Sequence, residues 1–111
     1  MNYHAHIYWN NAVEKQVALG LRLALHDYGC SLGRIRHKPV GPHLFPMYQA
    51  AYEERIRTKV ESFLEANGSD ISILLHENIG DDHVRDHTKG ARWLGKELPL
   101  DLEFLSNLDS V

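Results

Sequence analysis

Several things are scarce in this sequence, and each scarcity excludes something. One cysteine, Cys30, stands among 111 residues. It cannot close an internal disulfide or furnish a multi-cysteine zinc site, and it points to a reducing, cytoplasmic setting. No apolar run approaches the roughly 18–20 residues that cross a bilayer, and the N-terminus lacks the basic-then-apolar layout of a secretory leader, so no membrane partner is expected. Positive charge is not in excess: the formal net charge of −3 counts against nucleic acid as a partner. Repeats, low-complexity tracts and linker-like stretches are also missing, so residues 1–111 read as a single domain. With 43% apolar and 24% charged residues, the composition is that of an ordinary globular protein able to bury a core without staples. Against these shortages stand eight histidines, compared with three Phe and two Trp. So many imidazoles titrating near neutrality need an explanation.

Residues 3–9 (Tyr-His-Ala-His-Ile-Tyr-Trp) read as a strand, rich in aromatic and β-branched side chains. After Asn10 and Asn11, two candidate caps, the positions Val13, Val17, Gly20, Leu21, Ala24, Leu25 and Tyr28 fall at the spacing of one continuous helix. Gly29 is a natural terminator. The basic stretch Leu32 to Gly41 carries Arg34, Arg36, His37 and Lys38. Ile35 and Val40 suggest a short strand there, and Pro39 places it at a sheet edge. Leu44 to Ala51 reads as a further strand, interrupted by Pro46. Tyr52 to Ala66 is an amphipathic helix ended by Asn67-Gly68, and Asp70 to His76 is the cleanest strand. The order β-α-β-β-α-β is the ferredoxin-like pattern: an α+β fold, an antiparallel sheet in the order 4-1-3-2, and both helices on one face. Residues 77–111 form a C-terminal extension, read as a polar loop, a short helix near Thr88 to Leu94 and a Leu-rich tail from Leu98 to Leu108.

This topology turns the histidine count into a place. In the first strand Ala5 and Ile7 suit the helix-covered face, so His4, His6 and Tyr8 project to the other side, the two rings about 7 Å apart along the chain. In the last core strand Ile71, Ile73 and Leu75 suit the helix face, so Ser72, Leu74 and His76 join the histidines. The two strands are antiparallel neighbours, which brings His76 beside His4 and His6. Three converging imidazoles are a metal-binding arrangement. His43 follows Gly41-Pro42 at a strand start, where a turn can aim it inward. His83 and His87, four apart, sit in a run of titratable residues that by composition reads as a solvated loop. His26 and His37 read as bystanders. The open sheet face carries Tyr8 and Leu74 and needs a cover; the C-terminal segment and a second subunit are both expected to supply it, making a homodimer.

Taken together, Tyr3-His4-Ala5-His6-Ile7-Tyr8, Gly41-Pro42-His43, Leu75-His76-Glu77-Asn78-Ile79-Gly80-Asp81-Asp82, Asp86-His87-Thr88, Ala91-Arg92-Trp93-Leu94-Gly95 and Leu98-Pro99-Leu100-Asp101-Leu102 resemble the DOPA 4,5-dioxygenase family of small fungal and bacterial proteins. The resemblance runs from residue 3 to about residue 105, and fits the first helix and residues 29–40 poorly. It implies a compact α+β fold and extradiol cleavage of a catechol such as DOPA or a related catecholic acid with O₂. The matching histidines are His4, His6, His43, His76, His83 and His87. Such chemistry needs Fe(II) with open positions, usually held by two His and a carboxylate. Here His4, His6 and His76, with His43 as a fourth candidate, offer an all-imidazole site that zinc or nickel can also occupy. A carboxylate ligand would come from Asp81, Asp82 or Asp86, since Glu77 points away from the histidines. His83 or His87 suits the acid/base task. Arg34, Arg36 or Arg92, with Tyr8 on the same open face as the histidines, are candidates for holding the substrate, Arg through bidentate contacts to a carboxylate.

Two competing readings use the same residues. The histidines can serve a metal-binding module without turnover, in which a closed four-ligand shell leaves no place for O₂. They can also be the polar sheet face of a small dimeric protein with no metal.

Overall fold

The computed structural model describes residues 2–39, 41–78, 87 and 90–109. Its strands are β1 (Tyr3–Tyr8), β2 (Ser31–Leu32), β3 (Met47–Tyr52), β4 (Ser72–Glu77) and β5 (Ala91–Gly95); its helices are α1 (Ala12–Gly20), α2 (Arg22–Tyr28), α3 (Arg57–Asn67) and α4 (Leu102–Asp109). The described strands form one sheet in the order β2-β3-β1-β4-β5, antiparallel at every junction. That is the expected 4-1-3-2 order read from the other edge, with β5 added beside β4.

The helix expected between Asn11 and Tyr28 is two. Asn11 caps the first by accepting the Glu14 amide at 2.9 Å, while Glu14 accepts the Asn10 amide at 2.8 Å. The break falls at Leu21, directly after the exposed Gly20, which supports a helix poorly. Gly29, at φ +108°, closes α2: its amide reaches the His26 carbonyl and the Cys30 amide reaches the Leu25 carbonyl. The basic edge segment pairs earlier and more briefly than expected, at Ser31–Leu32, with one further bridge between Arg36 and Met47. Pro39 has no amide to offer a ladder. β3 begins only after Pro46, and Tyr52 ends it rather than opening the next helix, which is preceded by a 3₁₀ turn at Glu54–Ile56.

One expectation is overturned. Of the short helix placed near Thr88 to Leu94, Thr88 and Lys89 lie outside the described residues, and Ala91 to Leu94 belong to strand β5, paired Ile73↔Leu94, Leu74↔Trp93, Leu75↔Arg92 and His76↔Ala91. The segment alternates with a period of two, Ala91 and Trp93 toward one face and Arg92 and Leu94 toward the other. A run this short does not reveal its period by itself, and the unpaired edge of β4 decides it.

The two faces of the sheet bury different material. Tyr3, Ala5, Ile7, Ile73 and Leu75 join Ala18, Leu25, Val60 and Leu64 of the helices in the main core. The opposite face carries Tyr8, Met47 and Leu74, covered by Leu98 with Trp93 and Leu100 beside it. The Leu-rich tail therefore provides the cover expected of it before α4 begins, and Leu100 bridges to His43. No helix among the described residues is long and apolar enough to cross a membrane.

Candidate metal centre

The strand register delivers the histidines. His4 lies directly opposite His76, and His6 opposite Leu74 one step along the ladder. Same-face positions two apart on neighbouring strands converge, so His4, His6 and His76 meet with one ring nitrogen each within 4.8 Å of the others. His6 and His76 are buried; their Nε2 atoms are 2.9 Å apart and their rings stack with centroids 5.0 Å apart. His43, buried by the Gly41-Pro42 turn before β3, packs its ring 4.3 Å from His6. His87 lies over the group, with its ring 4.5 Å from His76. A second triad of His6, His43 and His87 thereby shares His6 with the first.

The chemistry of these nitrogens suits a metal. Burial, followed by the neighbouring imidazoles, drives the His6 pKa well below the ordinary value. Burial likewise brings His43 down to about 3. Both rings are neutral at pH 7, the protonation state that ligation requires. The His76 Nδ1–H donates to the Glu77 carbonyl at 3.2 Å, which leaves Nε2 unprotonated and orients the ring in the way outer-shell carbonyls do. The 2.9 Å between the two Nε2 atoms matches about 3 Å expected of nitrogens at right angles on an ion with ~2.1 Å bonds. His6 Nδ1 is buried with no hydrogen-bond partner, an uncommon state for a ring nitrogen. Among the described residues both triads are purely imidazole.

Tyr8 is tied to the same cluster. Its hydroxyl lies 2.6 Å from His43 Nδ1, and burial raises its pKa so that the phenol keeps its proton. With the phenol donating to Nδ1 the proton of that ring sits on Nε2; with Nδ1–H donating to the phenol oxygen, Nε2 keeps its lone pair for a metal.

Two clefts flank the cluster. One, of about 300 Å³, has His6 and His43 at its base and Arg34, Arg36, Gly33, Met47 and Gln49 around it. The other, of about 630 Å³, is lined by His87, Trp93, Leu98, Pro99, Leu100 and Glu97.

Residues 3–104 match the model of the Dopa 4,5-dioxygenase family. The chain belongs to that family. It is 36% identical over 109 residues to the DOPA 4,5-dioxygenase of Amanita muscaria, a match covering 90% of this chain and 47% of the relative. It is 34% identical over 83 residues to an uncharacterized 21.2 kDa protein of Botryotinia fuckeliana, covering 68% of this chain and 45% of the other. The chain thus spans about half the length of the curated relatives it matches. A 1.46 Å crystal structure of a candidate dioxygenase from Nostoc punctiforme superposes with a TM-score of 0.90 at 39% identity, over 96% of this chain and 92% of that one.

The candidate residues named from the sequence map onto the cluster unevenly. His4, His6, His43, His76 and His87 come together. His83 lies outside the described residues, as do Asp81, Asp82 and Asp86. Glu77 is on the other face, near enough to Tyr3 to act on its charge. Arg34 and Arg36 stand at the smaller cleft, whereas Arg92 is opposite Leu75 on the helix side, donating to Glu65 at 2.8 Å and Glu61 at 3.2 Å. Arg92 is therefore placed away from the histidines. Tyr8 faces His43 rather than open space, being 1% exposed. Two contributors went unread in the sequence. Gln49 reaches the cluster as the cross-strand partner of His6, a signal available in the alternation of Met47, Gln49 and Ala51. Trp93 lines the larger cleft and stacks on Tyr8, which only the strand period of β5 reveals.

Proposed function

We propose that the chain is a non-haem Fe(II) extradiol dioxygenase that opens the ring of a catechol with O₂. The observation that carries this is the convergence of His4, His6 and His76 on the open sheet face, between two clefts, in a member of this family. In this reading those three side chains hold the iron. Iron held by these residues would supply a common centre and an electron path for catecholate and O₂. Everything else is the work of the chain. The Glu77 carbonyl fixes the His76 ring. Tyr8, donating to Nδ1, fixes His43, whose Nε2–H then serves as a hydrogen-bond donor at the edge of the cluster. His87, half-buried above His76, takes a catechol proton and returns it to the opened product. Leu98 and Leu100 cover the face beside the site and keep water from it.

Anaerobic loading with Fe(II), followed by a catechol and then oxygen, tests the reading. It expects stoichiometric oxygen uptake and a yellow ring-opened product. Full iron occupancy with no oxygen uptake from any of a panel of catechols overturns it. The overlap of two triads on His6 favours one other reading, a metal-binding module without turnover. That reading expects tight zinc or nickel binding in a four-nitrogen shell and no reaction.

A further inference from the structure

The smaller cleft carries information about the substrate beyond the catechol itself. Six described arginines can be compared. Arg22 lies over the Tyr48 ring and donates to the Gly33 carbonyl; Arg55 is paired with Glu53, Arg57 with Glu61, and Arg92 with Glu61 and Glu65. Arg34 and Arg36 have no ion-pair or side-chain hydrogen-bond partner among the described residues, and both line the cleft whose base is His6 and His43. Their placement is not accidental to the local backbone. The segment is extended there, with Arg36 bridged to Met47 and the Gly33 amide bonded to the Gln49 carbonyl. Residues two apart share a side, so Ile35 packs into the main core while its two neighbours turn to the cleft. His37 and Lys38 continue the same basic strip. No carboxylate is among the described residues lining the cleft.

Resting on the dioxygenase reading above, we infer that this cleft is a carboxylate subsite: Arg34 and Arg36 bind the acidic arm of a catecholic acid whose hydroxyls reach the histidine cluster. A volume of about 300 Å³ is at the lower end for small-molecule sites and suits one ring with a short arm. Arginine forks bind carboxylates in bidentate fashion. A cationic arm meets two positive charges and, among the described residues, no carboxylate. The order of preference is therefore a catecholic acid without an amine, then DOPA, whose ammonium offsets its carboxylate, then a catechol with a purely cationic arm.

Two measurements on the full chain test this independently. In oxygen uptake by the iron-loaded protein, 3-(3,4-dihydroxyphenyl)propionate should exceed dopamine in kcat/KM by about a hundredfold and DOPA should fall between. Arg34→Gln with Arg36→Gln should reduce the acid-to-amine ratio about tenfold or more, mainly through KM. Added salt should raise KM for the acid and lower it for the amine. Equal efficiency across the three compounds overturns the subsite and leaves the dioxygenase reading standing. The second measurement needs no turnover: calorimetric titration of the protein with 3-phenylpropionate, which has the acidic arm and no hydroxyls. Binding that weakens about tenfold in the double glutamine variant, and is restored by the double lysine variant, supports the subsite even if no catechol is cleaved. Binding that is absent from the unaltered protein, or indifferent to both substitutions, rejects it.

Discussion

At the scale of single residues, His43 and His76 are oriented by what holds their Nδ1 atoms. For His43 that is the Tyr8 hydroxyl at 2.6 Å. Tyr8→Phe removes it and leaves a buried acceptor unsatisfied, worth about 1–3 kcal/mol, with the ring free to change tautomer. If His43 is a hydrogen-bond donor as proposed, turnover falls about 10- to 100-fold while iron content stays full. A variant that loses its iron instead makes His43 a ligand. His6→Ala should abolish binding of iron measured by elemental analysis, whereas His26→Ala should not, since His26 sits on the exposed face of α2 against Asp27. The division of the histidines was legible from alternation alone for His4, His6 and His76. It was not for His87, because a loop has no period to read and composition favours the solvated interpretation.

Burial also fixes a pH response of the metal-free protein. The pKa of His43 is lowered to about 3 and that of His6 well below its ordinary value, so the unfolded chain binds more protons than the folded one once pH drops below about 6.5. Stability is then complete above that pH and declines as it falls toward the folded-state values. For His43 alone the loss at pH 5 is about 2 kcal/mol. Urea midpoints of the chelator-treated protein at pH 7.5, 6 and 5 should decrease in that order, and a flat series contradicts the neutral buried rings.

At the scale of elements, the same sequence signals succeeded where an element buries one face and failed where it is short. β1, β4 and α3 each have an unambiguous apolar side, and their faces came out as the periodicity requires. β5 did not, because five residues fit either period until β4 offers its edge. The end of β5 contains its own constraint. Gly95 has φ +69°, and a Cβ there would lie 1.8 Å from the Ile71 carbonyl oxygen. Gly95→Ala must move backbone, so a loss of about 3 kcal/mol or failure to fold is expected. Gly20 is the contrasting case, with open space around its Cα and ordinary helical placement at the end of α1. Gly20→Ala should raise the urea midpoint by an amount equivalent to about 0.5–1 kcal/mol. Equal effects of the two substitutions would mean that the tight approach of β5 to the loop before β4 is not maintained in solution.

At the scale of the whole molecule, the sheet order was readable because crossover rules leave few topologies for β-α-β-β-α-β, and the site followed from the order. The cluster draws on β1 twice, on β4, on the turn before β3 and on the segment before β5. These are separated by up to 83 positions in sequence, from His4 to His87. An ion held by them joins regions of the chain that the unfolded state keeps apart, so its binding energy is also folding energy. A ligand at a thousand times its dissociation constant stabilises the folded state by about 4 kcal/mol. For a chain of this size 1 kcal/mol corresponds to about 4 °C, so adding Zn(II) as a redox-silent stand-in should raise the melting temperature by about 15 °C. The shift should disappear with chelator and in His6→Ala, which removes the residue shared by both triads. It should persist in Arg34→Gln, because the basic cleft acts on the substrate and not on the ion. Retention of the full shift in His6→Ala would place the metal somewhere other than the open face of the sheet.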